Sequence, residues 1–226
     1  MGIYLSAPDT KKHSINGEAN GLKYGVSAMQ GWRVNMEDAH ITDPKFDKNT
    51  GLFAVFDGHG GSEVAKFCGN HFGEELKKNE NYKIRNYELA LKETFLLMDI
   101  LIQAPDGLEE IEVMKKEAAK NKPPQPHQPV SSMRQQQKPA PKAKEVPKPD
   151  PTPKPEGDSE ANPEAVEEPK SPEKKEEEST AGCTANVVLI KDGHYYVANA
   201  GDSRCVLRQK NCRVIPLSFD HKPEDP

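Results

Sequence analysis

The sequence predicts an α+β fold in which antiparallel strands are flanked by helices and interrupted by a long unstructured insert. Three observations carry that expectation. Short alternating or continuous apolar runs occur early and late in the chain, apolar residues at helical spacing lie between them, and a proline- and charge-rich tract divides the whole. The 226 residues suffice for one or two domains. Hydrophobic residues make up only 34%, however, and no Phe, Trp or Tyr occurs between Phe95 and Tyr195. Core-forming material therefore sits in two blocks with a gap between them.

In chain order, "LKYGVSAM" at 22–29 alternates apolar and polar well enough for a half-buried strand. "GWRVNMEDAHI" follows, with Val34, Met36 and Ile41 interleaved with polar groups. "GLFAVFD" is a continuous apolar run ending at Asp57, which predicts a strand covered on both faces. From Ser62, an expected N-cap, the residues Val64, Ala65, Phe67, Cys68, Phe72 and Leu76 repeat at helical spacing. A second helix is expected over 87–102, where Leu89, Ala90, Leu91, Phe95, Leu96 and Met98 recur at three and four. A third, weaker one is expected over 108–120.

Between 122 and 178 lie 14 of the 20 prolines, no aromatic residue and almost no aliphatic one. Such a segment buries too little apolar surface to offset an ordering entropy of about 1–2 kcal/mol per residue. Its first half is Lys- and Pro-rich, "KPAPKAKEVPKPDPTPKP", and its second half is Glu-rich. The expectation is a disordered, charge-segregated spacer with polyproline character in its middle. A second use is partner binding or regulation, with Thr152 and Ser171, each followed by proline, as phosphorylation positions.

Structure is expected to resume at Gly182. "CTANVVLI", "HYYVANA", "RCVLRQ" and "CRVIPLSF" are strand-like, the last interrupted by Pro216. Asp192–Gly193 is a hairpin signal, "GDS" at 201–203 a second tight connection, and together they predict an antiparallel meander. Neither block looks self-sufficient, so the tract is an insertion within one domain. The expected parts are 1–102, an insert over 103–179 that is weakly helical and then disordered, and a continuation over 180–226.

A formal net charge of −5 argues against a globally basic nucleic-acid binder. Cys68, Cys183, Cys205 and Cys212 form no CxxC pair, and no apolar run reads as a signal peptide, which favours a reduced intracellular setting, cytoplasm or nucleus. "MGIYLS" fits the pattern for myristoylation of Gly2. One acyl chain gives at most weak membrane association.

The chemistry gathers at "FDGHGG" and "WRVNMED". If the strand carrying Glu37 pairs with the one ending at Asp57, two or three carboxylates converge, and they repel one another unless a cation lies between them. Oxygen-only donors suit magnesium or manganese, and the glycines after Asp57 let the Gly58 carbonyl join them. A pair of such ions, roughly 3.5–4 Å apart, can share and deprotonate a water for attack on phosphorus. Arg33 would supply a fork for phosphate oxygens and His59 a proton for the leaving oxygen. Singly, each residue has a plainer role: Asp57 and Asp202 as turn formers, Glu37 and Asp38 as solvated charges, Arg33 as their ion-pair partner, His59 as a surface imidazole. Their joint occurrence is what points to a site.

"SAMQGWRVNMEDAH", "FAVFDGHGGSEVAKFC", "GCTANVVLI", "VANAGDSRCVL" and "DHKPEDP" resemble, in order, the successive motifs of the metal-dependent serine/threonine protein phosphatases of the protein phosphatase 2C family. The resemblance covers 1–102 and 180–226. It implies a pair of antiparallel sheets flanked by helices in α-β-β-α layers, and phosphoserine or phosphothreonine in proteins as substrate. It also implies two Mg2+ or Mn2+ ions per site. By the same resemblance Asp57 bridges both metals, Gly58 ligates through its carbonyl, and Glu37 binds one ion. Asp38 acts through water, Arg33 anchors phosphate, His59 is the general acid, and Asp202 belongs to a third, weaker site. The family's catalytic domain continues past "DHKP" to two further metal-binding aspartates, so the chain resembles the front half of a phosphatase. The alternatives carried forward are a catalytically silent binding module and a calcium-binding structural protein, the latter without the loop pattern that helix-loop-helix calcium sites need.

Overall fold

The computed structural model describes residues 4–120 and 180–222. Gly2, the tract over 122–178 with Thr152 and Ser171, and the last four residues of "DHKPEDP" lie outside the described residues. The chain opens on a long antiparallel hairpin of β1 (Tyr4–Ala19) and β2 (Leu22–Arg33), with Ala19 opposite Leu22. Asn20 and Gly21 turn it at φ +51° and +73°, the left-handed pair that a two-residue hairpin loop needs. No strand is expected over 4–19 from the sequence. β1 is exposed over most of its length, so nothing in it alternates.

Next come β3 (Ala39–Asp47), β4 (Thr50–Phe56) and the short β5 (Gly58–His59), then α1 (Glu63–Lys78), α2 (Glu80–Lys83), α3 (Tyr87–Gln103) and α4 (Pro105–Lys120). After Thr180 follow β6 (Gly182–Cys183), β7 (Ala185–Lys191), β8 (His194–Ala200), β9 (Val206–Arg208) and β10 (Val214–Pro216). The fold is α+β with antiparallel sheets. Its main sheet runs β3-β4-β7-β8, and the β4–β7 pairing, Phe53 opposite Val188, joins segments from both blocks.

The period-2 pattern of β4 divides its side chains. Leu52, Ala54 and Phe56 join Val187 and Leu189 of β7, Val64, Phe72 and Leu76 of α1, and Ala90, Leu91 and Met98 of α3 in one buried cluster. Phe56, Phe72 and Phe95 stack in sequence at centroid distances of 6.1 and 5.5 Å. Each fully buried side chain of this size contributes about 1.5–3 kcal/mol. On the opposite face Phe53 meets Tyr24 of β2 at 6.2 Å, and a Cβ added to Gly51 would touch Leu22. The expected two-sided covering of β4 is therefore partial, since Val55 on that face stays exposed. A second aromatic row, Phe46, Tyr82, Tyr87 and Tyr196, runs from β3 through α2 and α3 to β8.

Helices fall where their periodicity puts them, with two corrections. Ser62 precedes α1, but its side chain makes no capping bond; its backbone is already helical at φ −92°, ψ −7°, outside the extended range usual for a capping residue. Asn79 and Asn86 cap α2 and α3 instead. The third helix is not weak. It starts at Pro105, a residue whose missing N–H costs nothing in the first turn, and Glu110 binds His71 of α1 at 2.8 and 3.0 Å.

The meander is also corrected. Asp192 and Gly193, at φ +49° and +79°, join β7 to β8 as expected. The following turn, with Gly201 at φ +105°, carries the chain away, so that β9 pairs with β10 and not with β8. Pro216 ends β10 opposite Val206. Among the described residues, no helix is long and apolar enough to cross a membrane.

Candidate functional site

The end of β4 and the start of β3 face each other, because the hairpin sets Ala39 opposite Phe56. One residue beyond that pair, on each side, stand Asp38 and Asp57. Their side chains lie close enough to act on each other electrostatically. Burial pushes the Asp38 carboxyl above the usual carboxylate range, and the Asp57 and Glu37 charges push the same way, opposed by Arg33. Two carboxylates this close hold a proton between them or require a cation.

Glu37 approaches from its backbone side. A Cβ at Gly58 would run into the Glu37 carbonyl oxygen, so only glycine lets β5 pass that close. Arg33 is the last residue of β2, exposed, with its backbone carbonyl accepting from Gln30 Nε2 at 2.9 Å. The Asp57 backbone is clamped from the other block. Thr184 N donates to its carbonyl at 2.8 Å, and Asp57 N donates to Thr184 Oγ1 at 3.3 Å.

Thr184 Oγ1 also pairs with Ser203 Oγ at 2.8 Å, which brings the "GDS" turn beside the site. Gly201 must be glycine there, since a Cβ would strike Thr184. His221 N donates to Gly201 O at 3.0 Å, and Arg204 grips Asp220 through two 2.6 Å bonds. Beneath them Asn186, buried, donates to Asn199 Oδ1 at 2.8 Å and Ser218 Oγ at 3.1 Å. Asp202 itself is exposed, and its charge acts on Arg204.

His59 stands apart. Its ring lies against Gly182, where a Cβ would meet Nε2 at 2.8 Å. It lines a cavity of about 1010 Å³ together with Phe56, Cys68, Asp99 and Cys183.

The structure thus brings Asp38, Asp57, the Gly58 backbone and the Glu37 backbone together, with the Arg33 charge alongside. It does not turn His59 or Asp202 into that group. Among the described residues no three His, Cys, Asp or Glu side chains converge on one point, so of the two or three carboxylates expected, the two of Asp38 and Asp57 meet. The donor set still fits magnesium or manganese. It is all oxygen, and its paired carboxylates repel for want of positive charge. Thr184, Ser203, Asn186 and Ser218 were not singled out from the sequence. They sit inside or beside the quoted motifs, but a bond between residues 57 and 184 leaves no local spacing signal.

The sequence profile of the family described as Protein phosphatase 2C matches residues 22–116 and 136–226. Probable protein phosphatase 2C 6 of Paramecium tetraurelia is 40% identical over 225 residues, covering 100% of this chain and 57% of that protein. Probable protein phosphatase 2C 21 of Arabidopsis thaliana is 38% identical over 224 residues, covering 99% and 57%. The chain spans little more than half the length of these curated relatives. A solved serine-threonine phosphatase 2C from Toxoplasma gondii aligns over 99% of this chain and 55% of its own, at 14% identity and a TM-score of 0.47.

Proposed function

The chain belongs to the protein phosphatase 2C family, and from that membership we propose that it carries the phosphate-binding front of a site that hydrolyses phosphoserine and phosphothreonine in proteins. The observation that carries this reading is the Asp38–Asp57 carboxylate pair, held across the β3–β4 hairpin with Arg33 charge beside it. Asp57, Asp38, the Gly58 carbonyl and Glu37 would hold two Mg2+ or Mn2+ ions, and Asp202 a weaker third. When bound, such ions supply positive charge that neutralises phosphate and acidifies water.

The chain's own residues do the rest. Arg33, exposed at the end of β2, offers two parallel N–H donors to phosphate oxygens and fixes their orientation. Thr184 fixes the Asp57 backbone from both sides, so that the carboxylate starts from one position. His59 gives a proton to the leaving serine or threonine oxygen, which requires its ring to swing off Gly182 toward Asp57. The resemblance places two further metal-binding aspartates past "DHKP", so full turnover is proposed for a polypeptide of the relatives' length. "SAMQGWR", "VANAGDSRC" and "DHKPED", with the acidic tract ahead of "GCTA", point within the family to the gamma isoform of animals.

The test is hydrolysis of p-nitrophenyl phosphate with and without manganese, by this chain and by a polypeptide of the relatives' length. Manganese-dependent turnover of the longer form, with KM raised by Arg33→Ala, is the expected result. Turnover indifferent to chelation and to Asp57→Asn overturns the mechanism. No turnover in either form leaves a silent phosphatase-like binding module.

A further inference from the structure

Two thiols lie where the proposed hydrolysis has no use for them. Cys68 of α1 and Cys183 of β6 are 115 positions apart in sequence, yet their sulfurs are 3.7 Å apart. Cys68 is buried and Cys183 half-buried. Both line the cavity of about 1010 Å³ that also holds His59, so a small oxidant has room to reach them. We propose that Cys68 and Cys183 are a peroxide-oxidised pair that closes into a reversible disulfide between α1 and β6.

Closing it brings the sulfurs from 3.7 Å to about 2.05 Å, a displacement that rotation of the two side chains and a small strand shift can supply. The shift falls on β6, a two-residue strand paired only with the equally short β5. α1, by contrast, is fixed in the core by Val64, Phe72 and Leu76. Cys183 pairs with Gly58 across that short ladder, and Thr184, the next residue, clamps Asp57. The bond would therefore tie the site's backbone support to the core. A metal site is the other common use of paired thiols. Among the described residues, no third His, Cys, Asp or Glu joins these two.

The chemistry balances with hydrogen peroxide as oxidant. Cys183, the more exposed sulfur, attacks as thiolate on the peroxide oxygen. The O–O bond breaks, leaving a sulfenic acid on Cys183 and a hydroxide that takes up the thiol's proton as water. Cys68 sulfur then attacks the Cys183 sulfur and the S–O bond breaks. A second hydroxide leaves and becomes water with the Cys68 proton. Two thiols are oxidised by one peroxide, which is reduced to two waters.

The experiment treats the purified chain with one equivalent of hydrogen peroxide, removes the excess with catalase, alkylates in denaturant and maps peptides by mass spectrometry. The expected result is a dominant peptide linking residues 68 and 183, lighter by two hydrogens, with Cys205 and Cys212 alkylated, and full reversal by dithiothreitol. Cys183→Ser and Cys68→Ala should each abolish the link. Because either variant could fold poorly, unmutated chain oxidised in urea is the second comparison, and there the preference for this pair should vanish. Alkylation of both cysteines after peroxide overturns the proposal. So does dominant oxidation at exposed Cys212, or equal linkage yield in urea. The readout is mass, so it stands apart from any failure to find phosphatase activity.

Discussion

Phe56 and Asp57 are adjacent in the chain but are held by different physics. Phe56 is fully buried among side chains from β4, β7, α1 and α3. Its position follows from area removed from water, which many arrangements of similar side chains can supply. Asp57 is exposed, and it is fixed by specific bonds from Thr184, which are linked through Ser203 to the "GDS" turn. The apolar side of the strand end makes the fold, and the polar side makes the site. The difference predicts that substitutions on the two sides fail in different ways.

The largest effect is expected on the apolar side. Phe56→Ala removes a ring that stacks on Phe72 and leaves a cavity between sheet and helix, at a cost of about 3–5 kcal/mol. The urea midpoint should fall accordingly. A loss under about 1 kcal/mol would mean that the core collapses freely around the gap, and the contrast between the two sides would dissolve. On the polar side Asn186→Ala should cost less, about 1–3 kcal/mol, since it leaves acceptors on half-buried Asn199 and buried Ser218 unmatched. Its mark should be local. Hydrogen exchange should quicken at Cys205, whose N–H is held by Ser218 Oγ at 2.8 Å, and stay slow in α1.

The same division governs what the sequence shows in advance. α1, α3 and β4 are legible because burial imposes a period on them, and the Asp192–Gly193 turn because its backbone needs positive φ. β1 is illegible for the opposite reason. It satisfies its hydrogen bonds against β2 while facing solvent, so nothing in its residues need alternate, and only the Asn20–Gly21 pair marks the hairpin. The carboxylates Asp38 and Asp57 are readable as residue types, and the β3–β4 register brings them together, although Glu37 and Asp38 stand just ahead of β3 and not on it as expected. The orientation of His59 and the bonds of Thr184, Ser203 and Asn186 are set by contacts between distant segments. A linear pattern does not carry them.

Asp57→Asn sharpens the comparison because stability and function should move in opposite directions. The side chain keeps its size but no longer repels Asp38. Without divalent cation the variant should match the parent or gain up to about 1 kcal/mol. Adding manganese should raise the thermal midpoint of the parent and not that of the variant, since one anionic donor is gone. A parent indifferent to manganese would remove the site's link to a cation altogether.

The smallest effect belongs to the clasp around the "GDS" turn. Arg204 donates two hydrogen bonds to Asp220, and with Lys222 nearby they hold that carboxyl at about 2, below the ordinary 3.8. A depressed carboxyl pKa contributes stability that is fully present above the unfolded value. That contribution is lost as pH falls from 3.8 through about 2. Arg204 is mostly in water, with 66% of its side chain exposed, so screening keeps the contribution small. Many other carboxyl groups titrate in the same range. The informative quantity is therefore the difference between parent and Arg204→Ala urea midpoints, measured near pH 6 and again near pH 2. The gap should narrow toward zero on acidification, and a gap that persists unchanged would place the effect of Arg204 in packing rather than in its charge.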